Sequence, residues 1–272
     1  MPRADYWNGQ YFQYWKQRVS EANNGAECSS VVVGDRTTVG DDTVQEHLQS
    51  LEIRDGQAIL DVGCGYGRLI PLLTRTETRV YGTDISAAMI REAKSAYGSM
   101  VAELRVEEAE RSSFPDAFFD RIVCWGVFDA THQAGTAHEI LRLLKLGGRA
   151  LITGKCTGYL DDDEAALVAE QNARSKGHPN FFTDYADFAR QLPLCGACIL
   201  EERFYLRRGD FSTNRFTRVR PERFYEYSLI FEKEESSAST FSSFSSAYSA
   251  TWLRTNPEEL NPEASVVSGE IA

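Results

Sequence analysis

The segment ILDVGCGYGRLI, residues 59–70, decides the fold of this chain. A mostly apolar run, typical of a buried strand, leads directly into glycines at positions 63, 65 and 67. Glycine loses more conformational freedom on folding than any other residue, so three of them in five positions indicate a loop with a special task. We therefore expect a strand followed by a loop whose backbone a ligand can approach closely.

The rest of the chain predicts an α/β fold around that strand. Strand and helix patterns alternate over 58–154, which predicts a parallel sheet with right-handed crossovers. Two further strands, near 198–207 and 223–232, have no helix pattern between them and predict an antiparallel addition.

Composition limits the classes of protein that the chain can belong to. Its 272 residues carry a formal net charge of −11, which disfavours a surface devoted to nucleic-acid phosphates. No run of 18 apolar residues and no secretory signal is found, so we expect a cytoplasmic protein without a membrane span. The Cys195–Cys198 pair has no second pair at zinc spacing, so we expect no metal site.

The sequence divides into three parts. Residues 1–40 are expected to form an aromatic N-terminal lid or cap, and 41–233 the main domain, with acceptor-side insertions at 155–195 and 207–222. Residues 234–272 form a serine-rich, acidic tail.

Two interpretations of the tail remain open. Eight serines within 236–249 favour disorder, which is our primary expectation. However, the aromatic residues of 241–252 are spaced by three, four and four positions, as on one face of a docked or partner-binding helix.

The glycine loop excludes two common nucleotide-binding motifs. A dinucleotide fingerprint needs a third glycine where Arg68 stands, and no lysine follows the loop as a P-loop requires. Asp84 ends the second predicted strand, where its carboxylate can accept both hydroxyls of a ribose. These features indicate a nucleoside-containing ligand bound at the carboxyl ends of the strands.

At this point the sequence resembles the class I S-adenosylmethionine (SAM)-dependent methyltransferases. The resemblance is carried by LDVGCGYGR, GTDIS, EEA…FPDAFFDRIVCWGV and LKLGGR, in this order across about 60–155. It implies a three-layer, Rossmann-like fold with a mostly parallel seven-stranded sheet of order 3-2-1-4-5-7-6, the last strand being antiparallel. It also implies SAM as the cofactor.

The resemblance further implies which residues contact SAM. The methionine part would face the first loop and the end of the fourth strand, the ribose the end of the second, and the adenine edge the segment after the third. Glu108 replaces the family's usual Asp, and Leu146 replaces the Pro of the LKPGG turn. The implied contacts are Asp61, Gly63, Cys64, Gly65, Asp84, Ile85, Glu108, Ala109 and Trp125.

The aromatic N-terminal segment has two interpretations. Tyr11, Trp15 and Arg18 recur at helical spacing and could pack as core on the outer helices. Alternatively they close over SAM as a lid, with Arg18 meeting the methionine carboxylate. We expect the lid and include all three among the cofactor-binding residues.

Candidate catalytic residues follow the fourth and fifth strands. A general base is useful when the accepting atom carries a proton, and Asp129, His132 and His178 are the candidates. Both histidines could instead cap or pack against neighbouring helices.

An arginine-rich stretch, 203–223, suggests the chemistry of the acceptor. It holds seven arginines in an acidic protein, and guanidinium groups suit phosphate or carboxylate. We predict that Arg208, Arg215 and Arg218 bind a small phosphorylated or carboxylated metabolite; the alternative is a solvated hairpin whose arginines pair with local acids.

The function predicted is methyl transfer from SAM to an oxygen or nitrogen of a small molecule. Three alternatives remain: an RNA methyltransferase, a SAM-binding interaction protein without activity, and a nicotinamide-dependent Rossmann oxidoreductase, which Arg68 opposes.

Overall fold

A computed structural model describes residues 3–9, 20, 39–74, 77–236 and 239–256 of the chain. Most of the N-terminal cap segment, including Tyr11, Trp15 and Arg18, lies outside the described residues, as do residues 257–272.

The described strands form one large sheet and one short pair. The large sheet has the order β3-β2-β1-β4-β5-β8-β7, in which β8 runs antiparallel to both of its neighbours and the other strands are parallel. Because β6 and β9 pair separately, this order equals the predicted 3-2-1-4-5-7-6, which is confirmed. The strands are β1 (Ala58–Val62), β2 (Arg79–Asp84), β3 (Glu103–Val106), β4 (Phe119–Cys124), β5 (Leu144–Lys155), β6 (Phe182–Thr183), β7 (Ala197–Tyr205), β8 (Glu226–Lys233) and β9 (Ser245–Ser246).

Helices cover both faces of the sheet and give three layers. One face packs against α2 and α4 through residues such as Val44 and Ile90, and the other against α5 and α7 through residues such as Ile140 and Phe188. No described helix has the length and apolarity needed to cross a bilayer. The helices are α1 (Arg3–Asn8), α2 (Asp41–Gln49), α3 (Ile70–Leu73), α4 (Ala87–Tyr97), α5 (Gln133–Leu143), α6 (Glu164–Ser175), α7 (Tyr185–Leu194) and α8 (Ala250–Thr255).

The sheet positions the site because β1 lies in its middle. All five residues of β1 are buried, with β2 on one side and β4 on the other. The carboxyl ends of these three parallel strands therefore open at one edge of the sheet. Ser86 caps α4 by accepting a hydrogen bond from the Met89 amide at 3.2 Å, so the chain turns sharply after β2.

The tail corrects one sequence expectation, because residues 239–256 are ordered rather than disordered. Phe244 is 3% exposed and stacks on Phe188 at a ring-centroid distance of 4.4 Å, and Trp252 on α8 is 7% exposed. The aromatic residues therefore dock onto the chain's own core, but only Ala250–Thr255 is helical, so their spacing does not mark one face of a helix. Serine content predicts disorder only where no apolar side chains are available for burial.

Replacing Phe244 with alanine is expected to lower the free energy of unfolding by about 3 kcal/mol, because a buried aromatic ring would leave a cavity. Urea unfolding measures the change. The control is Phe241→Ala, which removes a half-buried ring from the same segment and should cost less. An unfolding midpoint unchanged by Phe244→Ala would mean that the tail is not docked in solution.

Candidate cofactor and acceptor site

The loop after β1 has the backbone shape that its glycines predict. Gly63, Gly65 and Gly67 have φ values of +70°, +54° and +89°. A Cβ atom at Gly63 would lie 2.5 Å from both γ-methyl carbons of Val127, so only glycine fits there. At Gly65 nothing lies within 4 Å of the corresponding position. The loop thus packs tightly at its start and leaves room beside its middle.

Asp84 fixes this loop from the end of β2. Its Oδ2 accepts a hydrogen bond from the Gly65 amide at 2.9 Å, and its Oδ1 accepts one from the Ser86 amide at 2.7 Å. Burial raises the pKa of this carboxyl. The side chain is only half-buried, and each carboxylate oxygen can accept a second bond, so it can also receive ribose hydroxyls.

The buried carboxyl group of Asp61 shows whether the residues at this place fit SAM. Its side chain is buried, and Oδ2 has no hydrogen-bond partner among the described residues. Burial, and then the charge of Asp84, raise the pKa of this carboxyl well above its usual range. A cationic group such as the ammonium of a methionine moiety would compensate this carboxylate, so the residues present fit SAM.

The residues predicted to face adenine follow β2 and β3. Ile85 and Ala109 are half-buried, whereas Glu108 is exposed. The neighbouring Glu107 accepts a hydrogen bond from the Ser112 hydroxyl at 2.7 Å. Glu107 therefore holds the segment in place, and Glu108 remains in the position proposed for adenine.

Two residues of the predicted cofactor set use their side chains for packing. The Cys64 side chain is buried beneath the loop, and its Sγ lies 2.9 Å from where a Gly82 Cβ would be. The Trp125 ring stacks on Phe211 at 5.3 Å and meets His47 edge-on at 5.1 Å. For both residues the backbone is the part left for a cofactor contact.

Helix α1 lies over the junction between β2 and α4. The Asn8 side-chain oxygen accepts hydrogen bonds from the Ser86 hydroxyl at 2.8 Å and the Ala88 amide at 3.1 Å. The Tyr6 hydroxyl bonds Nδ1 of His178 at 2.8 Å. This helix thus connects the segment after Asp84 to the loop after α6. The lid expected of Tyr11, Trp15 and Arg18 lies outside the described residues.

A cluster of buried and half-buried polar residues lies at the ends of β4 and β5, on the sheet edge that also carries the glycine loop. The Lys155 ammonium lies 3.3 Å from Asp129 Oδ2 and 3.1 Å from Glu170 Oε1. Glu170 also accepts a hydrogen bond from the Tyr225 hydroxyl at 2.5 Å, and Arg208 donates to that hydroxyl at 3.1 Å. We call these five residues the polar cluster.

Opposite charges in the polar cluster favour the ionised forms of Lys155 and Glu170. Burial alone would lower the pKa of Lys155, but Glu170, Tyr225 and Asp129 together raise it well above the usual range. Burial acts to raise the pKa of Glu170, but Lys155, the Tyr225 hydroxyl and Arg208 together lower it. Lys155 therefore remains a cation at neutral pH.

The three predicted catalytic residues occupy different environments. Asp129 belongs to the polar cluster. Burial, and then the charge of Lys155, lower the pKa of His178 to about 4, so its ring is neutral at pH 7. The His132 amide donates to Glu110 Oε1 at 2.7 Å, and its ring lies 5.4 Å from that of Phe181.

A cleft of about 410 Å³ connects both histidines with the polar cluster through Glu170. The tail forms one of its walls, where the Tyr248 ring lies 3.6 Å below the guanidinium of Arg174 on α6. Its lining includes charged, histidine and aromatic side chains, namely His132, Glu170, Arg174, His178, Phe181 and Trp252.

The structure separates the three arginines predicted to bind the acceptor. Arg208 lies in the polar cluster. Arg215 forms an ion pair with Asp210, and Arg218 forms one with Glu201 at 3.5 Å, with side chains 77% and 65% exposed. The latter two thus follow the alternative interpretation, in which arginines of this stretch pair with local acids.

Sequence reasoning missed Lys155, Glu170, Tyr225 and Glu226. A usable signal existed for two of them, because Lys155 and Glu226 stand at the ends of otherwise apolar strand patterns, RALITGK and EYSLIF. A charged residue at such a place, at the ligand-binding edge of an open sheet, indicates a site.

The fold and the site together define a Rossmann-like domain that binds a nucleoside-containing cofactor. A family profile described as a methyltransferase domain matches residues 60–152. This match supports a class I SAM-dependent methyltransferase domain over these residues, with SAM as the cofactor.

Curated relatives are similar over part of their length. The ubiquinone/menaquinone biosynthesis C-methyltransferase UbiE of Bordetella avium is 33% identical over 106 residues, which are 37% of this chain and 41% of the relative. A phosphoethanolamine N-methyltransferase of Triticum aestivum is 29% identical over 168 residues, or 59% and 33%. The chain thus spans less than half the length of these two relatives.

Solved structures share the fold at low sequence identity. The magnesium protoporphyrin IX methyltransferase of Synechocystis, with bound S-adenosylhomocysteine, has a TM-score of 0.55 at 19% identity, covering 85% of this chain and 97% of that one. The geranyl diphosphate C-methyltransferase of Streptomyces coelicolor also scores 0.55, at 14% identity, covering 71% and 79%.

Proposed function

We propose that this chain transfers the methyl group of SAM to an oxygen or nitrogen atom of a small molecule bound at the polar cluster. The observation that carries the proposal is the position of this cluster. It lies at the ends of β4 and β5, on the same sheet edge as the glycine loop and Asp84. A cofactor on the loop and an acceptor at the cluster would therefore be neighbours.

Bound SAM supplies a methyl group already activated on a sulfonium. The chain's part is then to hold the accepting atom in line with that methyl group and to exclude water. Asp84 and the glycine loop would hold the cofactor, and Asp61 would face its ammonium group. Helix α1 covers the ribose side through Asn8.

We propose that the acceptor carries an anionic group held by Arg208. Arg208 stands at the polar cluster, where it donates a hydrogen bond to the Tyr225 hydroxyl at 3.1 Å. A guanidinium group presents paired donors that match a carboxylate or phosphate. The names of the two curated relatives describe small-molecule chemistry, which supports an acceptor of this size.

The proposed location is the cytoplasm. All five cysteines within the described part of the chain are free thiols, as suits a reducing compartment.

The acceptor proposal is tested by incubating the chain with SAM labelled in the methyl group and a small-molecule ultrafiltrate of cells, then locating the label. Arg208→Ala should raise the acceptor KM about tenfold or more, because a charge-assisted hydrogen bond contributes about 1.5–3 kcal/mol, while the Kd for SAM stays unchanged. The matched control is Arg215→Ala, whose side chain pairs with Asp210 at the surface.

A parallel incubation with total cellular RNA tests the main alternative, and label in RNA but not in small molecules would favour the RNA methyltransferase. Equal KM values for Arg208→Ala and Arg215→Ala would remove the anionic group from the proposal.

A further inference from the structure

Glu226 faces the polar cluster from the first residue of β8. It lies directly opposite Lys155 on β5 and Tyr205 on β7. Directly opposed residues of antiparallel strands place their side chains on the same face, about 4.5–5.5 Å apart at Cβ. Glu226 is half-buried, so part of it remains accessible at the sheet edge.

Other groups of the cluster are already committed to one another. The Lys155 ammonium contacts Asp129 and Glu170, and Glu170 also accepts from Tyr225. His178, the other base candidate at this place, bonds the Tyr6 hydroxyl. Glu226 thus differs from Asp129 and Glu170, whose carboxylates are engaged by Lys155.

The surroundings of Glu226 set its affinity for a proton. The Glu226 carboxyl interacts electrostatically with charged or titratable groups on every neighbouring element, namely Asp129, Lys155, Glu170, Tyr205, Arg208 and Tyr225. Burial is the largest effect and, against the opposing charges of Arg208 and Lys155, raises the pKa of Glu226 to about 7. A carboxylate with such a pKa can take up and release a proton near neutral pH.

We propose that Glu226 is the proton acceptor of the methyl transfer and that the substrate is an acceptor with an ionisable O–H or N–H group. In this step the bond between sulfur and the methyl carbon breaks, and its electron pair stays on sulfur. A bond forms from the accepting oxygen or nitrogen to that carbon, and the proton of the accepting atom passes to the Glu226 carboxylate and then to water. Lys155, a cation on the opposite strand, favours the developing negative charge on the accepting atom. This inference rests on the proposed function.

The test compares label transfer from methyl-labelled SAM into the small-molecule ultrafiltrate across pH 5.5 to 9 for the full chain and its variants. The wild-type rate should rise through pH about 7 and then level off, because only ionised Glu226 accepts a proton. Glu226→Gln should be at least ~100-fold slower and lack this rise. The matched control is Glu232→Gln, on the same strand, where Glu232 pairs with Arg149 at 2.8 Å; it should behave as the wild type.

Calorimetry with SAM shows whether each variant retains the cofactor site. Glu226→Asp keeps a carboxylate and should retain the rise with pH at a reduced rate; its absence in a variant that binds SAM would overturn the proposal. A Glu226→Gln variant with the wild-type rate and pH profile would do the same. A wild-type chain that labels no small molecule would contradict the proposed function itself.

Discussion

Replacing Gly63 with alanine is expected to weaken SAM binding by about 100-fold. The residue has φ of +70°, and the new methyl group would lie 2.5 Å from both γ-methyl carbons of Val127. The left-handed conformation costs an L-residue about 1–2 kcal/mol, and overpacking costs a further ~1–3 kcal/mol. The two costs add up to about 3 kcal/mol. The loop can relieve this strain only by leaving the conformation that binds SAM, so the affinity falls by a corresponding factor. Calorimetry of SAM with the purified variant measures the loss.

The control is Gly147→Ala, which separates backbone strain from the close approach. Gly147 has a similar φ of +71°, but nothing lies within 4 Å of its added Cβ, and it sits near the start of β5, away from the ligand-binding edge. This variant should lose about 1 kcal/mol of stability and bind SAM normally. If Gly63→Ala bound SAM as well as Gly147→Ala does, the assigned cradle would be wrong.

Asp84→Ala is the second change with a large expected effect, again about 100-fold or more in the Kd for SAM. The substitution leaves the Gly65 and Ser86 amides without their carboxylate and removes the acceptor proposed for the ribose hydroxyls. Each hydrogen bond to a charged group contributes about 1.5–3 kcal/mol, so loop order and ligand contact are lost together.

Asp120→Ala is the matched control for this change. Asp120 accepts a backbone hydrogen bond from Ala58 at 2.9 Å and pairs with Lys145 at 2.8 Å, but it lies at the opposite edge of the sheet. Both variants should lose stability, measured by urea unfolding, and only Asp84→Ala should lose SAM. Equal SAM affinity in the two variants would assign Asp84 a purely structural role.

Local patterns were sufficient to predict the fold. The apolar run before Gly63 is a central strand because all five residues of β1 are buried between β2 and β4. The closing strands were placed within about three residues of their observed limits, since apolar runs bounded by turn residues define strand ends well.

The cofactor contacts stay predictions, and local sequence was enough to propose them because they lie in short motifs at strand ends. The polar cluster was found only in part. Asp129 and Arg208 were named from the sequence, but Lys155 and Glu170 were missed because the ion pairs that join them depend on the tertiary fold. Lys155 meets Asp129 and Glu170, which stand 26 and 15 residues away, in the polar cluster. Arg215 forms its ion pair with Asp210, five residues before it. The arginine content of the stretch did not distinguish an arginine that joins the polar cluster from one that pairs with a local acid.

The central claim is that the loop after β1, together with Asp84, binds SAM. Isothermal titration calorimetry of the ligand-free chain with SAM, S-adenosylhomocysteine and NAD tests it most directly. We expect saturable heat with both sulfur compounds and none with NAD, since Arg68 occupies the third glycine position of a dinucleotide motif. Heat with NAD alone, or no heat with either sulfur compound, would contradict the account.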